Sequence, residues 1–133
     1  MSSSDTLSLD PAVEAICARI RSASSAGTPL RVRGGGTKDF YGGPLTGDHL
    51  DTTTYAGIID YEPTELVLTA RAGTSLAAIE SAMRARGQML AFEPPHFGPG
   101  ATLGGAVAAG LAGPRRPYAG GVRDLLLGVK VVD

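Results

Sequence analysis

Tryptophan is absent from this 133-residue sequence, cysteine occurs once, and aromatic residues make up only 5% of the chain. A single thiol, Cys17, can form neither an internal disulfide nor a multi-cysteine metal site, which fits a reducing compartment and makes the cytosol the default. No apolar run approaches the ~20 residues that cross a bilayer. The start, Met1-Ser2-Ser3-Ser4-Asp5, lacks the basic-then-apolar profile of a secretory signal. Charge of either sign is not in excess: 12 basic residues against 13 acidic ones leave −1. Such a balance gives neither nucleic acid nor an anionic membrane surface a field to bind. A soluble protein with no nucleic-acid partner and no direct membrane insertion is the expectation. What the chain has in plenty is glycine, 19 residues, about twice the usual share. The glycines cluster at 34–47 and 98–128, as in a backbone that cradles a ligand and not as in a uniform linker. The length is one domain's worth, enough to bury roughly two-thirds of the unfolded surface.

The first cluster is Val32-Arg33-Gly34-Gly35-Gly36-Thr37-Lys38. Three glycines let the backbone turn sharply and bring its N–H groups against another molecule. Thr37 adds a hydroxyl, and Arg33 and Lys38 flank the turn with positive charge, which together suit a diphosphate. Neither common nucleotide fingerprint is present, because the spacer of the Walker pattern is missing and Asp39 stands where G-x-G-x-x-G needs its last glycine. On this loop alone, a flexible surface turn is an equal alternative.

Residues 1–9 are Ser-rich and read as disordered. Asp10-Pro11 reads as a helix start, N-cap followed by Pro at the first helical position. Val13, Ile16, Cys17 and Ile20 then form one apolar stripe and Gly27 is the stop. Cys17 is a core hydrophobe on that stripe. Leu30-Arg31-Val32-Arg33 alternates as a half-buried strand does and leads into the glycine loop. Residues 39–47 read as an ordered loop with Phe40 and Tyr41 as anchors. His49 reads as a solvated turn residue. Short strands are expected at 50–54, 57–61 and 65–70, with a turn at Glu62-Pro63-Thr64. Thr74 is the expected N-cap of a second helix carrying Leu76, Ile79 and Met83, closed by Gly87. Arg84 and Arg86 in its last turn complement the helix dipole. Met83 and Met89 read as core filler, and 88–92 as a further strand. His96, near the second glycine cluster, reads as structural, with a ligand-facing role as the alternative.

The second cluster runs from Gly98 to Arg116. Side chains from 104 to 113 are nearly all hydrogen, methyl or small branched groups, so a helix here lets a flat ligand press on its backbone. Thr102 is a candidate N-cap that would aim free N–H groups of Gly104 and Gly105 at an anion. Tight helix–helix packing through Gly100-Ala101-Thr102-Leu103-Gly104 is the rival, although that spacing is diagnostic only inside a membrane segment. Simple loop flexibility is opposed by Leu103, Val107 and Leu111. The apolar run 125–132 reads as a strand that stops at Asp133 without a closing element, as in a fragment.

The ordered set Arg33-Gly34-Gly35-Gly36-Thr37, Ala72-Gly73-Thr74, Thr102-Leu103-Gly104-Gly105 with Gly110 and Gly113, and Tyr118 with Arg123-Asp124 and Gly128-Val129 resembles the FAD-binding domain of the vanillyl-alcohol-oxidase (PCMH) type. Within it, Gly36-Thr37-Lys38-Asp39-Phe40-Tyr41-Gly42, Phe92 to Gly98 and Gly113 to Tyr118 resemble the FAD-binding subunits of glycolate oxidases. The resemblance covers about residues 10–133 and implies the N-terminal part of that domain. The implied fold is α+β, with a small mainly parallel βαβ subdomain through the strand at 66–70 and a second, truncated sheet that begins near 125. It implies that Arg33, Gly34, Gly35, Gly36, Thr37 and Lys38 wrap the FAD pyrophosphate. Gly98, Thr102, Leu103, Gly104, Gly105, Ala108, Gly110 and Gly113 would then lie along the ribityl and flavin portions. It further implies non-covalent FAD, since neither loop offers the histidine or cysteine that some members use for attachment. The implied role is oxidation of a small 2-hydroxy acid within a complex that also has a related flavoprotein subunit and an iron–sulfur subunit, cytoplasmic or peripheral to the inner membrane through those partners. No catalytic base and no metal site is assigned. A non-catalytic assembly or electron-relay subunit is the competing role, and a plain phosphate-binding module a third.

Overall fold

The computed structural model describes residues 10–40, 46–91, 96, 98–110 and 121–132. The expected disorder at 1–9, the anchor Tyr41, Phe92 and Gly113 lie outside them. Helix α1 spans Pro11–Ala26 and begins as its sequence dictates: the Asp10 carboxylate accepts the Ala12 N–H at 3.0 Å and Pro11 occupies the first turn. It ends on Gly27, whose φ of 67° turns the chain out of the helix while its N–H and that of Thr28 close on Ser24 and Ala23. Val13 is buried, and Ile16, Cys17 and Ile20 are half-buried beside it.

Strands β1 (Leu30–Arg33) and β2 (Asp48–Asp51) pair in parallel, Val32 opposite Leu50 and Arg33 opposite Asp51. A parallel pair needs a long crossover, which here is the first glycine segment, 34–47; its described residues contain no helix. The second strand starts and ends earlier than the β-branched run at 50–54 suggests, because Asp51 accepts from the N–H and hydroxyl of Thr53 and turns the chain. His49 is therefore an exposed strand residue, not a turn residue. Strands β3 (Ile58–Glu62) and β4 (Val67–Ala70) form a separate antiparallel hairpin, with Tyr61 opposite Leu68. Its turn at 63–66 is closed by the Glu65 and Leu66 N–H groups on Glu62 and Pro63. The class is α+β, with one parallel and one antiparallel pair.

Helix α2 (Leu76–Arg84) is capped by Ser75 and not by Thr74. The Thr74 hydroxyl is already engaged, accepting from Gly57 N–H at 2.9 Å and lying 2.7 Å from the Arg71 carbonyl to which it donates. Gly87, at φ 68°, ends the turn that follows the helix, and Gln88 N–H closes back on Met83. The expected strand at 88–92 is absent over its described part, 88–91. Gln88 is instead held by its side chain, which accepts from the Tyr61 hydroxyl and donates to the Pro63 carbonyl, tying the end of α2 to the hairpin. Met89 is 56% exposed and is not core filler.

Helix α3 (Leu103–Ala109) ends on Gly110, and α4 (Val122–Leu125) packs against it. The expected strand at 125–132 does not form. Asp124 accepts the Gly121 N–H at 2.8 Å and starts a helical turn, while residues 126–132 pair with no strand among the described residues. No described helix is long and apolar enough to cross a membrane.

The core is small. Leu76, Ala101 and Ala106 form its centre, with Leu90 and Leu103 packed on it, and Ile79 is fully buried nearby. The segments that carry these residues are joined by backbone: Leu76 N–H to Ala101, Leu103 N–H to Thr74 and Gly104 N–H to Ala72, all 2.8–2.9 Å. Gly73 sits where this junction meets the loop after β2, and a Cβ on it would lie 2.0 Å from the Thr52 carbonyl oxygen and 2.6 Å from that of Tyr55. Both obstacles are backbone and cannot swing away. Gly73→Ala is expected to cost roughly 1–3 kcal/mol of stability, read as a lowered thermal midpoint; an unchanged midpoint would contradict the packing described.

Candidate functional site: a cleft between two glycine segments

Strand β1 delivers Arg33 into the first glycine loop, and the Ser75–Thr102 bridge presents the start of α3 opposite it. The two segments enclose a cleft of about 150 Å³ lined by residues 32–39 on one side and Thr102 and Gly105 on the other. The approach is close enough to exclude side chains. A Cβ on Gly35 would stand 1.8 Å from the Gly100 carbonyl oxygen, and one on Gly34 would stand 2.8 Å from the Thr102 hydroxyl. Gly36 has φ 74°, and the Arg33 guanidinium passes 2.0 Å from where its Cβ would be.

The loop's backbone is the chemically informative part. Among the described residues, no hydrogen bond takes up the N–H groups of Gly34, Gly35, Gly36, Thr37 or Lys38. Successive unpaired N–H groups on a tight turn make a concave, partly positive surface suited to an anion. Lys38 leans toward the opposite wall, its Nζ 3.8 Å from the Cβ position of Gly105.

Arg33 is engaged within the loop. Its Nε reaches both carboxylate oxygens of Asp39 at 3.1 Å and its Nη2 reaches one at 2.7 Å, while Asp39 N–H closes on the Gly36 carbonyl. Hydrogen bonding and charge from Asp39 raise the Arg33 pKa. The same bonds from Arg33 hold the Asp39 carboxyl below its ordinary value, with smaller help from Arg31 and His49. Asp51 is also lowered, by its hydrogen bonds from Thr53. Sequence reading sees Arg33 as a free flanking cation because its partner lies six residues away across a turn; the Arg-x5-Asp spacing carries no signal until the loop is folded.

The second segment differs from its expected chemistry. Thr102 is the N-cap of α3 and its hydroxyl accepts Gly105 N–H at 3.1 Å. The Leu103 and Gly104 N–H groups are spent on Thr74 and Ala72. The first turn of α3 therefore offers no free N–H to an anion, because those groups build the junction with α2. Leu103 faces the core and Gly104 packs on Ala72. Thr102 and Gly105 line the cleft, and Gly98 lies beside it, 3.4 Å from the Thr37 methyl at its Cβ position. Ala108 is exposed on α3 and Gly110 is its C-cap, both away from the cleft lining. His96 Nε2 pairs with Glu80 at 3.1 Å and lines no part of the cleft. No group of His, Cys, Asp and Glu among the described residues could hold a metal ion.

Comparison with known proteins bears on what the cleft holds. A family model described as an FAD binding domain matches residues 12–133. The chain belongs to the FAD-binding domain family. It is also 51% identical over 119 residues to the glycolate oxidase subunit GlcE of Escherichia coli (strain K12), a match that takes in 90% of this chain and 34% of that relative. The chain thus spans about a third of the length of the curated relative it matches. No solved structure matches the chain. FAD is the cofactor of this family, and its diphosphate fits the residues present: amides unpaired among the described residues, Lys38, which has no carboxylate partner among them, and an acid, Asp39, whose charge is turned to Arg33. The cleft is smaller than the ~300–1,000 Å³ usual for a whole cofactor, and a diphosphate is the part of FAD whose chemistry matches its lining.

A folded-state pKa held below its unfolded value means that the Arg33–Asp39 pair stabilises the loop above the ordinary aspartate range and is lost only as pH falls through the lowered value. Carboxyl carbon NMR should show Asp39 titrating below an ordinary aspartate, and Arg33→Gln should restore the ordinary midpoint. An unperturbed Asp39 in the unaltered chain would show that the pair does not form in solution.

Proposed function

We propose that this chain holds the diphosphate of FAD on the backbone of residues 34–38, as the cofactor-binding part of a flavin-dependent 2-hydroxy-acid oxidoreductase subunit of the glycolate oxidase kind. The observation that carries the reading is the run of five N–H groups, Gly34 to Lys38, without a partner among the described residues, in a cleft whose opposite wall is formed by Thr102 and Gly105. The family match supports FAD as the ligand, and the 51% identity to a glycolate oxidase subunit supports the substrate class and the membership of a multi-subunit assembly. When bound, the flavin supplies the hydride acceptor for oxidation of the 2-hydroxy acid.

What the chain's own residues contribute is binding and orientation. The amides of Gly34 to Lys38 donate to the phosphate oxygens, and Lys38 adds a point charge. Gly35 and Gly105 keep the walls bare so that the backbone itself meets the ligand. Thr102 donates or accepts at the opposite wall through a hydroxyl already oriented by Gly105 N–H. Leu103, Gly104, Ala108 and Gly110 belong to the same segment and shape its course, toward the ribityl and flavin portions in this reading; Gly113, in the same reading, lies outside the described residues. FAD is held non-covalently: Cys17 is on α1, His49 on β2 and His96 against Glu80, and none lines the cleft. Electrons leave to a further carrier in partner subunits, which in this reading include a related flavoprotein and an iron–sulfur protein.

The test is FAD titration of the full chain, followed by flavin fluorescence. Gly35→Ala forces a methyl against the Gly100 carbonyl and opens the cleft; affinity should fall on the order of 100-fold, as for two lost charge-assisted hydrogen bonds. Glycolate should bleach the flavin of the unaltered protein in its complex. Equal FAD affinity in the Gly35→Ala variant would return the loop to an ordinary turn.

A further inference from the structure

The cleft carries two cations and one carboxylate, and they do not play equivalent parts. Asp39 lines the space assigned to a doubly negative diphosphate, where a bare carboxylate would repel the ligand. It does not stand bare. Its two oxygens are bridged by the Arg33 guanidinium, which crosses beneath Gly36, and its N–H closes the turn on the Gly36 carbonyl. The Arg33–Asp39 pair thus closes residues 33–39 and the backbone bond closes 36–39 within them, around the unpaired N–H groups of Gly34 to Lys38.

We propose that Arg33 and Asp39 are positioning residues, an electrically neutral latch that fixes the curvature of residues 34–38, and that Lys38, alone among the described residues, supplies positive charge to the diphosphate. The inference rests on the FAD reading above. It assigns the conspicuous arginine of the loop to shape and not to phosphate contact, and it gives the acid a reason to be in an anion site. The guanidinium's planar fork matches the carboxylate in a way that an ammonium cannot, so lysine at 33 should not replace it. Glu at 39 keeps the charge and differs by one methylene, so it should hold the latch in part.

The experiment measures FAD affinity of the full chain by flavin fluorescence over a series of salt concentrations, with circular dichroism and the thermal midpoint as controls for folding. Asp39→Asn should weaken FAD about tenfold, the scale of one lost charge-assisted hydrogen bond, and should not flatten the salt dependence, because it removes a negative charge and leaves both cations in place. Asp39→Glu should recover most of that loss. Lys38→Gln should weaken FAD to a similar extent and also flatten the salt dependence, because screening acts on a charge that faces the ligand. A purely structural role for Asp39 would lower the midpoint along with affinity and would not separate the two salt profiles. Asp39→Asn binding FAD as well as or better than the unaltered chain would overturn the latch, since it would mean that Arg33, once released, serves the phosphates. No FAD binding by the unaltered chain would instead sink the proposed function, and this inference with it.

Discussion

Three backbone hydrogen bonds between residues 72–76 and 101–104 hold the rest of the structure in place. They set the N-termini of α2 and α3 side by side, bring Leu76 against Ala101 and Ala106, and consume the N–H groups that α3 would otherwise present. The small residues of both segments follow from this. Gly73 is pressed on the carbonyls of Thr52 and Tyr55, and Gly104 on Ala72, so a side chain at either position would separate the elements. With this junction fixed, Gly100 has one place to go, against Gly35, and the cleft results. The wall of the site is thus a by-product of how two helix starts are joined.

Much of this was legible in the sequence where local chemistry decides. Asp10-Pro11 and Gly27 bound α1, Leu30–Arg33 leads a strand into the glycine loop, and Thr102 caps α3, all from rules that act within a few residues. The pairing of the two glycine clusters was also readable, since both are built to let backbone approach. What was not readable depends on distant partners. Thr74 has the chemistry of a cap, but Gly57, seventeen residues earlier, claims its hydroxyl and leaves the cap to Ser75. The apolar runs at 88–91 and 126–132 have strand composition, yet a strand exists only when another strand completes its ladder. Gln88 is bound through its side chain, and Asp124 starts a helical turn instead. Arg33 and Lys38 look alike in sequence, and only the fold separates the cation that is paired from the one that is not.

That separation decides how the site can work. Once Arg33 is neutralised by Asp39, a single ammonium faces the cleft among the described residues, and one point charge could not by itself balance the doubly negative diphosphate proposed for it. The remainder must come from oriented N–H dipoles. In water an exposed amide that lacks a protein partner is hydrated and costs little, so the loop is tolerable without ligand; in the proposed site its value would appear when a diphosphate displaces that water from unpaired donors. Dipoles work in this way only if their directions are fixed beforehand, because a loop that must reorganise spends binding free energy on its own ordering. Gly35 against Gly100 supplies one constraint and the Arg33–Asp39 pair the other. In the proposed site, a chain whose overall charge is close to zero would hold a strongly anionic cofactor through geometry more than through field.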